Sequence, residues 1–137
     1  MRSILISLLL FGCAREGGNY INPVFLPYIR EFNKICAPTP TNLVIGFGDL
    51  DGDVLAHCLP SFTWITVDEK KWNGSKTEDW RLWVIFHELG HCVLDRDHDT
   101  SYNETCPTSI MFPYQFGDSK CFQENRDYYI KELCDGH

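Results

Sequence analysis

The chain has 137 residues, 12 Lys and Arg against 19 Asp and Glu, a formal charge of −7, and 44% hydrophobic and 14% aromatic content. That length suits one small domain. The scattered basic residues exclude nucleic acid as a partner, because phosphate-tracking proteins cluster Lys and Arg, and the aromatic content excludes a disordered chain.

Arg2 precedes an apolar run, Ser3 to Phe11, which is too short to span a membrane and reads as the core of a signal peptide over residues 1–12. The run ends in Leu10-Phe11-Gly12-Cys13, which resembles the lipobox of bacterial lipoproteins. That resemblance implies lipidation of Cys13, a linker over 13–21, and a cell-envelope lipoprotein, or a secreted protein if Cys13 carries no lipid. The membrane then enters only through that anchor. Six Cys remain, Cys36, Cys58, Cys92, Cys106, Cys121 and Cys134, which export turns from metal ligands into a disulfide framework.

In the domain expected over 22–137, the spacing of Phe25, Leu26, Ile29, Phe32 and Ile35 predicts an amphipathic helix from Asn22 to Cys36, with Pro23 in its first turn. Three β-rich runs follow, Leu43–Gly48, Val54–Cys58 and Phe62–Val67. Asp51-Gly52 between the first two predicts a hairpin. Ser75 or Thr77 caps a helix running from Trp80 through Leu94, and Ser119 to Leu133 reads as one closing helix. One continuous helix there holds Cys121 and Cys134 about 20 Å apart, too far to bond each other; the other pairings stay open. The sum is an α+β domain, a short mixed sheet of about three strands packed with an N-terminal, a central and a C-terminal helix.

Within the central helix lies His87-Glu88-Leu89-Gly90-His91. Spacing of four puts both imidazoles on one face, where they can grip one Zn²⁺, the single catalytic ion expected. Glu88, about 100° round the helix, is placed to take a proton from a metal-activated water as general base. Leu82, Ile85, Phe86, Leu89 and Val93 form the opposite, core-facing side. A third ligand is needed. Asp97 lies ten residues after His87 and His98 eleven, and a Gly expected at Leu94 is missing. His98 is favoured, with one residue looping out near Asp95-Arg96 and Asp95 taking the left-handed conformation in place of the Gly.

Ile45-Gly46-Phe47-Gly48, Asp51-Gly52-Asp53, Leu55-Ala56-His57, Val67-Asp68 and then Pro107 to Tyr114 flank this motif in an order that resembles the matrixins, the matrix metalloproteinase family of metzincins. The resemblance covers about Leu43 to Tyr114 and implies a zinc endopeptidase acting on an extended peptide or protein, as a monomer. It implies Met111 of a Met-turn beneath the metal, Phe112, Pro113 and Tyr114 along a substrate pocket, and Val54, Leu55 and Ala56 on an edge strand that pairs with substrate. Core packing is the alternative for Met111 and Tyr114. Competing functions are a non-catalytic zinc-binding surface lipoprotein and a gluzincin-type peptidase taking Glu124 or Glu132 as ligand. The family's second, structural metal site is not expected, because Thr66 stands where a His is needed.

Overall fold

The computed structural model describes residues 20–74 and 76–136. The signal peptide, Cys13, the linker as far as residue 19 and the Ser75 cap lie outside them. The class is α+β, with four strands and five α-helices among the described residues. No described helix is long and apolar enough to cross a membrane.

The last two residues assigned to the linker, Tyr20–Ile21, form β1. Asn22 Oδ1 then accepts from the Val24 amide and starts a 3-10 turn at Pro23–Phe25, which leads into α1, Leu26–Ile35. Phe25, Ile29 and Phe32 of the predicted stripe point into the core, whereas Ile35 is exposed.

β2 is Val44–Gly48, β3 Ala56–Leu59 and β4 Trp64–Asp68. The sheet order is β1-β2-β4-β3, with β2 parallel to β1 and β4, and β3 antiparallel to β4. The predicted hairpin between β2 and β3 is therefore absent. Gly52 does make a left-handed turn at φ +59, but β4 takes the whole edge of β2 from Val44 to Gly48. Side chains at and just beyond the end of β4 hold the displaced loop instead of a ladder. Asp68 accepts from the Leu50 amide at 2.9 Å, and Lys71 Nζ donates to the carbonyls of Val54 and Leu50. Asp68 also caps a short helix absent from the sequence reading, α2, Glu69–Asn73.

The central helix, α3, runs Glu78–Cys92 with Thr77 as its cap, accepting from the Trp80 amide at 3.1 Å. Leu82, Ile85, Phe86 and Leu89 are buried as expected, Val93 only partly, and Trp83 and Val84 on the other side are buried as well. The expected single closing helix is broken at Asn125 into α4, Lys120–Glu124, and α5, Arg126–Asp135. Three disulfides join Cys36 to Cys134, Cys58 to Cys92 and Cys106 to Cys121. Cys121 and Cys134 are thus not joined, although the helix invoked to separate them is not continuous. Such a framework belongs to a protein exported into an oxidising compartment.

Asp68 is 2% exposed, and its carboxyl is held below the usual range by the amides of Leu50 and then Lys71, against the opposing effect of burial. A depressed folded-state pKa contributes stability above the unfolded value, about 3.9, and loses it as pH falls through the folded value. Asp68→Asn should therefore unfold with a shallower dependence on pH below about 4 than the wild type. Equal acid limbs for the two proteins in thermal melts would contradict this role.

Candidate metal centre

His87 and His91 stand one turn apart on α3, and His98 comes back to them along the segment that follows the helix. Their nearest ring nitrogens lie within 4.8 Å of one another. His87 Nε2 is 3.2 Å from both His91 Nε2 and His98 Nε2. Donors about 2.05 Å from a tetrahedral ion stand about 3.3 Å apart, so the spacing suits one shared cation. Among the described residues this is the one such group of His, Cys, Asp or Glu.

The far side of each helical imidazole is fixed by backbone. His87 Nδ1–H donates to the Ile110 carbonyl at 2.9 Å, and His91 Nδ1–H to the Arg96 carbonyl at 2.6 Å. A carbonyl only accepts, so both Nδ1 atoms carry the proton and both Nε2 atoms present lone pairs. Two lone pairs 3.2 Å apart repel unless a cation lies between them. That is the chemical reason these residues fit a metal. Burial, with the neighbouring imidazoles, holds the His87 pKa down to about 3 against the Ile110 hydrogen bond. Burial likewise lowers that of His91. Both rings are therefore neutral at physiological pH, as ligation requires.

The approach to His98 follows from the end of α3. Asp95 is left-handed, with φ 52, in agreement with its expected role in place of a Gly, and the Arg96 amide turns back to the Gly90 carbonyl at 2.9 Å. The reversal brings His98 to the cluster. Asp97 is exposed and is not a member of it.

Met111 is fully buried beneath α3, where an added Cβ on Gly90 would meet its Sδ at 2.5 Å. Ser109 Oγ accepts from the Met111 amide and donates to Glu132 of α5, whose other oxygen takes Arg96 at 2.7 Å. Arg96 also reaches the carbonyls of Glu132 and Leu133. Glu132 is thereby committed to the scaffold, and neither it nor Glu124 belongs to the cluster. This link between α5 and the site escaped the sequence reading, since no local pattern joins residues 36 positions apart.

A cleft of about 940 Å³ opens on the imidazoles, lined by His87, Glu88 and His98 together with Val54, Leu55, Ala56, Pro113 and Tyr114. Val54 and Leu55 precede β3, so within the expected edge segment only Ala56 belongs to the strand. Phe112 turns aside to pack on Tyr102 and Phe116. Tyr114 is 73% exposed at the rim. Glu88 is buried, which pushes its pKa up to about 7 against a hydrogen bond from the Cys58 backbone. Trp83 also lines the cleft, its ring 5.4 Å from that of His87 and its indole N–H buried without a partner. Its spacing of four from His87 was the available signal. His57 is exposed on β3 and is not a member of the cluster.

The chain matches no family model, no curated protein and no solved structure.

The packing at Gly90 sets two effects against each other. Alanine gains up to about 1 kcal/mol in helix propensity, but its Cβ would stand 2.5 Å from Met111 Sδ and 3.1 Å from Leu133 Cδ1. Overpacking costs about 1–3 kcal/mol, and both neighbours are fully buried. Gly90→Ala should lower the denaturation midpoint; an unchanged or raised midpoint would show that Met111 yields freely.

Proposed function

We propose that this protein is a zinc-dependent endopeptidase of the metzincin type, similar to matrixins, exported and held at the cell envelope by a lipid on Cys13. One observation carries the reading: three imidazoles converge, and two of them, His87 and His98, line a cleft together with a buried carboxyl one residue after the first. Nothing in metal binding alone calls for that carboxyl.

His87, His91 and His98 would hold the ion, and an all-imidazole donor set suits zinc. Zinc bound there supplies Lewis-acid activation of water and of the scissile carbonyl. The rest of the chemistry belongs to the chain. Glu88, with its pKa near neutrality, accepts a proton from the attacking water on a carboxylate oxygen and delivers it to the departing amine. Burial keeps bulk water from competing for that proton. β3 is an outer strand of the sheet, and its edge, unpaired among the described residues, with Val54 and Leu55 leading into it, offers backbone groups to an extended peptide. Trp83, Pro113 and Tyr114 supply apolar surface for the side chain that follows the cleaved bond. Met111 gives the imidazoles an apolar floor and ligates nothing.

The test combines zinc content with cleavage of an unstructured protein. Wild type should hold one zinc and cleave. Glu88→Ala should keep the zinc and lose about 10²- to 10⁴-fold in rate, while His98→Ala should lose the zinc. Cleavage by Glu88→Ala at the wild-type rate contradicts the mechanism, and zinc bound without cleavage by any variant assigns the protein to a binding role.

A further inference from the structure

The outer face of the sheet, turned away from α3, carries a row of large apolar side chains that no described element covers, beside a second row of Gly46, Thr66 and His57. Tyr20, Val44, Trp64 and Leu59 stand in one row across β1, β2, β4 and β3, and directly opposed residues share a face. Ile65 and Val67 of β4 are buried, so Trp64 and Thr66 point outward. Tyr20, Trp64 and Leu59 are 59%, 49% and 42% exposed, and Phe62, between β3 and β4, is 68% exposed. At a strand spacing of about 4.8 Å the row spans about 14 Å.

The segments that supply the row's residues from β2, β3 and β4 carry no formal charge, although Arg15 and Glu16 precede Tyr20. Residues 37–48 and 54–67 contain no Asp, Glu, Lys or Arg, where the chain average of 23% would place about six. An aromatic, charge-free patch on so acidic a chain is a surface awaiting cover.

The position of Cys13 favours one occupant. It lies seven residues before Tyr20, a reach of at most about 25 Å. A lipid on that Cys, the part of the proposed reading on which this inference rests, keeps the first residue of the row within that distance of a bilayer. Tyr and Trp flanked by Leu and Phe are the side chains that settle at the headgroup level, and strands without carboxylates limit repulsion from anionic lipids. We infer that the row Tyr20, Trp64 and Leu59, with Phe62, seats on the interfacial layer of the membrane and orients the anchored domain. The metal cleft, on the α3 side of the sheet, then faces away from the lipid toward soluble protein substrates.

Trp64 is the reporter, because Trp72, Trp80 and Trp83 are at most 4% exposed. The full chain, lipidated in its host, is reconstituted in phosphatidylcholine and phosphatidylglycerol vesicles with acyl chains brominated near the headgroup. The emission absent from Trp64→Phe should lose more than half its intensity to bromolipid and should resist aqueous iodide. A Tyr20→Ser, Phe62→Ser protein should still float with the vesicles but reverse both responses. Flotation with Trp64 open to iodide and untouched by bromolipid overturns the inference. So does protection from both quenchers with face-to-face dimers trapped by cross-linking. A wild type that fails to float, or a Cys13→Ser protein that floats equally well, overturns the anchor and this inference with it, while leaving the peptidase reading to its own test.

Discussion

Ten of the fifteen residues of α3 are buried. A helix enclosed to that extent has little freedom to slide or rotate, because each shift would open space on one side and force overlap on the other. The sheet lies against it through β3, and the Cys58–Cys92 disulfide joins that strand to its last residue. Met111 and Leu133 close on Gly90 from below, and Phe32 of α1 meets Phe86 edge-on at 5.5 Å. The positions of His87, Glu88 and His91 follow from the core. The same packing aims the Nε2 atoms of His87 and His91 at one point.

The later part of the chain stabilises what α3 begins. Tyr129 and Tyr128 donate to the carbonyls of Pro107 and Thr108, and Phe122 stacks on Tyr129 at 5.6 Å. α5 thus supports the segment whose Ile110 carbonyl orients His87, while the Arg96–Glu132 pair supports the turn whose carbonyl orients His91. The Cys36–Cys134 disulfide spans 98 positions and ties α1 to α5. A loop of that size corresponds to about 4.7 kcal/mol in chain-entropy terms, a large fraction of a small domain's stability. α1 and α5, far apart in sequence, are thereby both tied to the elements that hold the metal centre.

The parts legible in the sequence were those encoded within a few residues. Thr77 precedes Trp80 by the spacing of a cap, HELGH has the helical period, and Asp95 is among the few residues that tolerate a left-handed backbone. The positions of β2, β3 and β4 were legible to within a residue or two, whereas β1 falls in the segment that reads as linker, and the strand pairing was not legible. Asp51-Gly52 makes its turn as predicted; what decides its consequence is the central β4, buried on its core face, whose pairing with β2 is a distant contact invisible to local patterns. The break at Asn125 was missed because the apolar period continues across it. The disulfide partners and the Arg96–Glu132–Ser109 network are likewise contacts between distant segments, and the resemblance that suggested a third ligand said nothing about them.

The central claim is that His87, His91 and His98 hold one metal ion through their Nε2 atoms. X-ray absorption at the zinc edge tests it most directly. The account predicts three imidazole nitrogens at about 2.0–2.1 Å in the zinc-loaded wild type, falling to two in His98→Ala and unchanged in Asp97→Ala. A spectrum altered by Asp97→Ala and left intact by His98→Ala would contradict it.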